Sequence, residues 1–118
     1  MQLNDATRGQ AYSAVALLKY RAVKFDTSGT LVYAGAGDRA VGMTMEDYPT
    51  VGTLVTYYRM VGGWLHTVSG SVAVGDYAKI GADGVVVVEA SNTTPTAFTI
   101  GQIRVARATG LPVEVEKV

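Results

Sequence analysis

From Arg21 onward the chain alternates short apolar runs with glycine-centred polar breaks. Arg21-Ala22-Val23-Lys24-Phe25 runs into Asp26-Thr27-Ser28-Gly29, a turn by composition, because Asp and Ser bond their own backbone and Gly accepts positive φ. Leu31-Val32-Tyr33 and Ala40-Val41-Gly42-Met43-Thr44 follow, then a longer run over residues 53–61 and another over 64–68. Runs rich in β-branched and aromatic residues, bounded by Gly and Asp, read as strands. Gly62-Gly63 between the last two reads as the tight turn of a hairpin, since a primed turn needs positive φ.

The second half repeats the first. Tyr77-Ala78-Lys79-Ile80 aligns with Ala22-Val23-Lys24-Phe25, so that Lys79 falls on Lys24 and Gly84 on Gly29. Small indels then bring Ile100-Gly101-Gln102 onto Val41-Gly42-Met43 and Gly110 onto Gly52. The final run alternates strictly: Val113 and Val115 fall on one face, Glu114 and Glu116 on the other, as in a sheet wet on one side. The pattern predicts an all-β fold, a small barrel or compact sandwich built from two similar strand-turn-strand halves.

The start of the chain is different. Residues 1–10 are polar without a period, and Leu3 is their strong apolar anchor. They read as an arm that is disordered alone and ordered by a partner, with Leu3, Asp5 and Arg8 as candidate contacts. Residues 11–20 fit a short helix and an apolar strand equally. The expected division is an arm with this element over 1–20 and a β domain over 21–118.

Composition narrows the function. Of 118 residues 48% are apolar and only 17% charged, against roughly 25% in an ordinary soluble domain. A poorly charged surface points to cover by another protein. Ten basic residues balance ten acidic ones without a block of either sign, which speaks against nucleic-acid binding. The absence of cysteine excludes disulfide scaffolds, thiolate zinc sites and thiol catalysis. No apolar run approaches the ~20 residues of a membrane span. Met1-Gln2-Leu3-Asn4-Asp5 lacks the features of a signal peptide, so the expectation is a protein made and used without secretion.

No catalytic pattern stands out. His66 is the single histidine; a catalytic role would need Ser69 or Ser71 and an Asp beside it, and a strand-face histidine is the simpler reading. Gly35-Ala36-Gly37-Asp38-Arg39-Ala40 begins like a dinucleotide fingerprint, but the third Gly is missing and a β-like run follows instead of a helix. Asn92-Thr93-Thr94 reads as a loop. We therefore expect no enzyme, no cofactor and no metal. Tyr57, Tyr58 and Trp64 are the candidate contact aromatics; adjacent strand residues face opposite ways, so one of the two tyrosines should be outside. The same three could form a sugar platform on a non-catalytic, tail-associated or carbohydrate-binding barrel.

Tyr20-Arg21-Ala22-Val23-Lys24-Phe25-Asp26, Gly37-Asp38-Arg39-Ala40-Val41-Gly42, Val74-Gly75-Asp76-Tyr77-Ala78-Lys79 and Ala82-Asp83-Gly84-Val85-Val86, in this order and spacing, resemble the small decoration (cement) proteins of tailed-phage capsids. The resemblance covers residues 14–118. It implies an all-β fold, attachment to the major capsid protein on the outside of the virion after assembly in the host cytoplasm, a homotrimer, and no catalytic residues. The chain departs from the family pattern at residues 43–49 and 57–60, which are bulkier.

Overall fold

In a computed structural model the described residues are 8–36, 38–59, 63–67, 69–70, 72–89, 99–105 and 112–116. They form ten strands: β1 (Arg8–Tyr12), β2 (Ala22–Phe25), β3 (Leu31–Tyr33), β4 (Gly42–Thr44), β5 (Leu54–Tyr58), β6 (Gly63–Thr67), β7 (Tyr77–Ile80), β8 (Val86–Val88), β9 (Thr99–Ile103) and β10 (Pro112–Glu116). A 3-10 turn, Ala82–Gly84, joins β7 to β8. Two antiparallel sheets result, ordered β1-β5-β4-β2-β3 and β6-β10-β9-β7-β8.

The orders are the same pattern twice. Lys24 faces Val32 as Lys79 faces Val87, and Val23 faces Gly42 as Ala78 faces Gly101. The connecting hydrogen bonds repeat as well. Tyr20 N donates to Thr44 O as Gly75 N does to Ile103 O, and Ala34 N donates to Ala22 O as Glu89 N does to Tyr77 O. Each sheet curls until the chain beyond its first strand meets its third: Ala14 N donates to Leu31 O, and Ser69 N to Val86 O, both at 2.9 Å. The predicted all-β architecture of two similar halves is therefore present, and each half is a curled five-stranded sheet. The expected equivalence of Gly52 and Gly110 falls partly outside the described residues.

Each half has its own core. Leu17, Val23, Leu31, Val55 and Tyr57 fill the first; Ala78, Val86, Ile103, Val113 and Val115 fill the second. A third cluster, Ala22, Ala34 and Ile80, joins them. At this junction Gly84 N donates to Ala34 O (2.7 Å), Thr67 N to Tyr20 O (2.8 Å) and Arg21 Nη1 to Asp83 O (3.0 Å). A Cβ on Gly84 would run into the backbone of Ala22. The second half therefore seats its β7–β8 turn on the back of β2 and β3.

Two expectations are corrected. The hairpin at Gly62-Gly63 does not form: β5 pairs with β1 and β4, while β6 pairs with β10 in the other sheet. β6, which starts at Gly63, opens the second half as β1 opens the first. The arm also ends earlier than the sequence suggests. Arg8–Tyr12 is β1, paired along its length with β5, so the sheet begins before residue 21. Residues 13–19 are then an irregular strap, not a helix, and Leu17 on it is buried in the core.

Candidate interaction surface

The β1–β5 ladder sorts the candidate contacts by face. Ala11 faces Val55 and Gly9 faces Tyr57 on the inner side. Arg8 with Tyr58, Gln10 with Thr56, and Tyr12 with Leu54 share the other side, because strand side chains alternate. One of the two tyrosines is thus inside. Tyr57 is 7% exposed, with Phe25 edge-on to its ring at 5.8 Å. A Cβ on Gly9 would stand 2.5 Å from its Cζ, so the ring uses the space a side chain would need. Tyr57 is a core residue, and its assignment as a surface contact is corrected. Tyr58 is half-buried on the outer side beside buried Met43.

The outer side of this ladder is polar at one end and apolar at the other. Arg8, Gly9, Gln10 and Thr56 line a recess of about 400 Å³, with Gln10 Nε2 donating to Thr56 Oγ1 at 3.3 Å. Beyond it stand Tyr12 and Leu54, with Val51 in the loop before β5, all exposed. The strap adds exposed Val15 and Leu18. These groups offer apolar contact area, an amide and a guanidinium to a partner. Leu3 and Asp5 lie outside the described residues. Trp64 and His66 stand opposite Val115 and Val113 in the β6–β10 register, and their side chains lie outside the described part.

The strap is held by the segment that departs from the cement-protein pattern. Thr44 Oγ1 donates to Leu18 O at 2.6 Å, Lys19 N donates to Asp47 Oδ1 at 2.9 Å, and Leu17 and Tyr48 exchange backbone bonds. Leu18 N donates to Tyr33 Oη at 2.8 Å. Residues 43–49 thus serve as a clasp that keeps the strap, and so β1, in place.

Local electrostatics serve turns. Asp26 accepts from Thr30 Oγ1 (2.6 Å), Thr30 N (3.0 Å) and Ser28 N (2.9 Å). These bonds, the Thr30 hydroxyl first, hold its carboxyl below the usual range. Asp38 is lowered by Lys24, whose Nζ is 2.7 Å away, and then by Gly35 N. Gly35, Ala36, Asp38, Arg39 and Ala40 thereby lie in a loop, as expected. Lys79 repeats the Lys24 position and lies 4.0 Å from Glu89. Among the described residues no group of three or more carboxylates and histidines is placed to hold a metal ion.

No protein-family model matches the sequence, and no curated protein does. Among solved structures the chain is similar to the N base of the head fiber gp8.5 of bacteriophage phi29, with a TM-score of 0.79 and 16% identity. The match covers 94% of this chain and 92% of that one. At that identity the likeness is one of fold.

Proposed function

We propose that this chain, which has the fold of a phage head-fiber base, is a structural protein of a phage virion. In this reading it sits on the outer surface of the capsid, bound to the major capsid protein and to copies of itself as a homotrimer, and stabilises the shell. The observation that carries the reading is the fold likeness along nearly the whole chain. The low surface charge and the exposed apolar group at Tyr12, Val51 and Leu54 support it. Each copy would bury a modest area, but many copies across a shell add up against internal pressure. No catalytic step, cofactor, nucleic acid or membrane enters this reading. The sugar-platform alternative is weakened, because Tyr57 is a core residue.

The test is co-sedimentation of the purified chain with expanded heads of the phage whose genome encodes it. Saturable binding at a fixed ratio to the major capsid protein, with heads that then resist heat better, is the expected result. Failure to bind heads, together with retention on a glycan array, would overturn it in favour of the carbohydrate-binding barrel. Replacing Tyr12 and Leu54 by Asp should weaken attachment.

A further inference from the structure

The two equivalent turns differ inside. The β2–β3 and β7–β8 connections close alike: Asp26 N donates to Thr30 O (2.8 Å) and Gly81 N to Val85 O (2.7 Å). Within the first turn Gly29 N donates back to Asp26 O at 3.1 Å. Gly84 stands at the same step, but its N–H leaves the turn and donates to Ala34 O of the first half at 2.7 Å. The residue before it differs too. Asp83 is left-handed, with φ of 54° and ψ of 35°, whereas Ser28 does not take positive φ. Asp83 O accepts from Arg21 Nη1 of the first half at 3.0 Å. The seated turn has a shape that its free counterpart does not adopt, and both differences are bonds to the first half.

Arg21 is committed to this contact. Its guanidinium lies over the Tyr33 ring, 5.6 Å from the centroid, and its Nε is buried without a hydrogen bond. A buried donor left unbonded costs free energy, which the charged bond to Asp83 O offsets. Tyr33 Oη in turn accepts from Leu18 N, so the strap and the seated turn meet on the same two side chains. Non-glycine residues with positive φ are uncommon, and among the described residues they are Tyr20 and Asp83. Each turns its carbonyl to a donor of the other half, Tyr20 O to Thr67 N and Asp83 O to Arg21 Nη1.

We propose that the β7–β8 turn is a latch whose shape is set by the first half. Arg21 holds the Asp83 carbonyl and Ala34 holds the Gly84 amide. Released, the turn relaxes to the form seen at β2–β3, with Gly84 N bonded to Gly81 O. The two halves have separate cores, yet the latch makes them unfold together. This is a property of the chain alone, so its measurement in solution is independent of whether the chain binds capsids.

Full-length wild type should show one thermal transition with equal calorimetric and van't Hoff enthalpies; two transitions would overturn the proposal. Ser28→Gly and Asp83→Gly loosen the unfolded chain alike, so their difference reports the folded turn. The urea midpoint should fall for Ser28→Gly and hold or rise for Asp83→Gly, which sheds the left-handed penalty. In an Arg21→Met background that advantage should vanish, because the released turn has no left-handed residue at this step. Arg21→Met should also speed hydrogen exchange at the Thr67 and Gly84 amides on the order of tenfold, through loss of one charge-assisted hydrogen bond. The Ala34 and Ile103 amides, bonded within their own halves, should stay protected. Lys24→Met, which breaks an ion pair inside the first half, is the control and should leave the Thr67 and Gly84 amides unchanged. Equal midpoints for the two glycine variants, or unchanged exchange in Arg21→Met, would overturn the proposal. The wild-type and glycine measurements decide it even where Arg21→Met does not fold.

Discussion

Gly29 and Gly84 both take positive φ at the same step of the repeat, yet they have different surroundings. At Gly29 an added methyl meets open space, so Gly29→Ala costs only the left-handed penalty, about 1–2 kcal/mol, part of which is offset by the stiffer unfolded chain. At Gly84 the same methyl meets the backbone of Ala22, which cannot step aside without parting the halves. Gly84→Ala should add an overpacking cost of about 1–3 kcal/mol. Urea unfolding of the two variants should therefore rank Gly84→Ala clearly below Gly29→Ala; equal midpoints would mean that the junction is soft. Tyr57 shows the opposite dependence on volume. Its ring fills the space beside two glycines, Gly9 and Gly42, and Tyr57→Ala should cost about 3–5 kcal/mol by leaving that space empty. In register, the second half has Trp64 where the first has Gly9, and Val115 where it has Tyr57.

Among the elements, the β2–β3 connection owes its shape to one carboxylate. Asp26 accepts three hydrogen bonds that favour its charged form, so its pKa in the folded chain lies below its ordinary value. A lowered carboxyl contributes stability that is fully present above the ordinary pKa and is lost as pH falls through the folded value. Asp26→Asn should therefore be less stable than wild type at neutral pH, and the gap should narrow as the solution is acidified through pH ~4. Urea midpoints of both proteins across that range measure it; a gap independent of pH would assign the effect to geometry and not charge. The counterpart turn has Gly81 in place of Asp26 and lacks this dependence, because Gly81 carries no carboxylate.

At the scale of the whole molecule, β1 decides where the folded unit begins. The sequence suggests that an arm of residues 1–10 can be removed without thermal consequence. The structure places Arg8–Tyr12 along the full length of β5, with Ala11 against the first core. Deleting residues 1–7 should leave the melting temperature nearly unchanged while weakening attachment to heads. Deleting residues 1–12 should lower it by several degrees, because β5 loses a ladder and the core one wall. Calorimetry on the two truncations distinguishes them, and equal melting temperatures would show that β1 contributes nothing to the fold.

The sequence alone determined the strands from Ala22 onward, their glycine turns and the internal repeat, because these are written locally, in period-two alternation and in residues tolerant of positive φ. It also determined that one of Tyr57 and Tyr58 is inside, since alternation allows nothing else. Which of the two is inside depends on the partners of β5, and β1, β4 and the glycines they bring are distant in the chain. The separation of β5 from β6 was likewise invisible: Gly62-Gly63 suits a hairpin by composition, and only the pairing of β6 with β10, some fifty residues later, takes it into the second sheet. The seating of one half on the other was decided by tertiary structure as well. Ala22, Ala34 and Gly84 are small for the sake of a neighbour that no local pattern announces, and the same steps in the second half carry Tyr77 and Glu89.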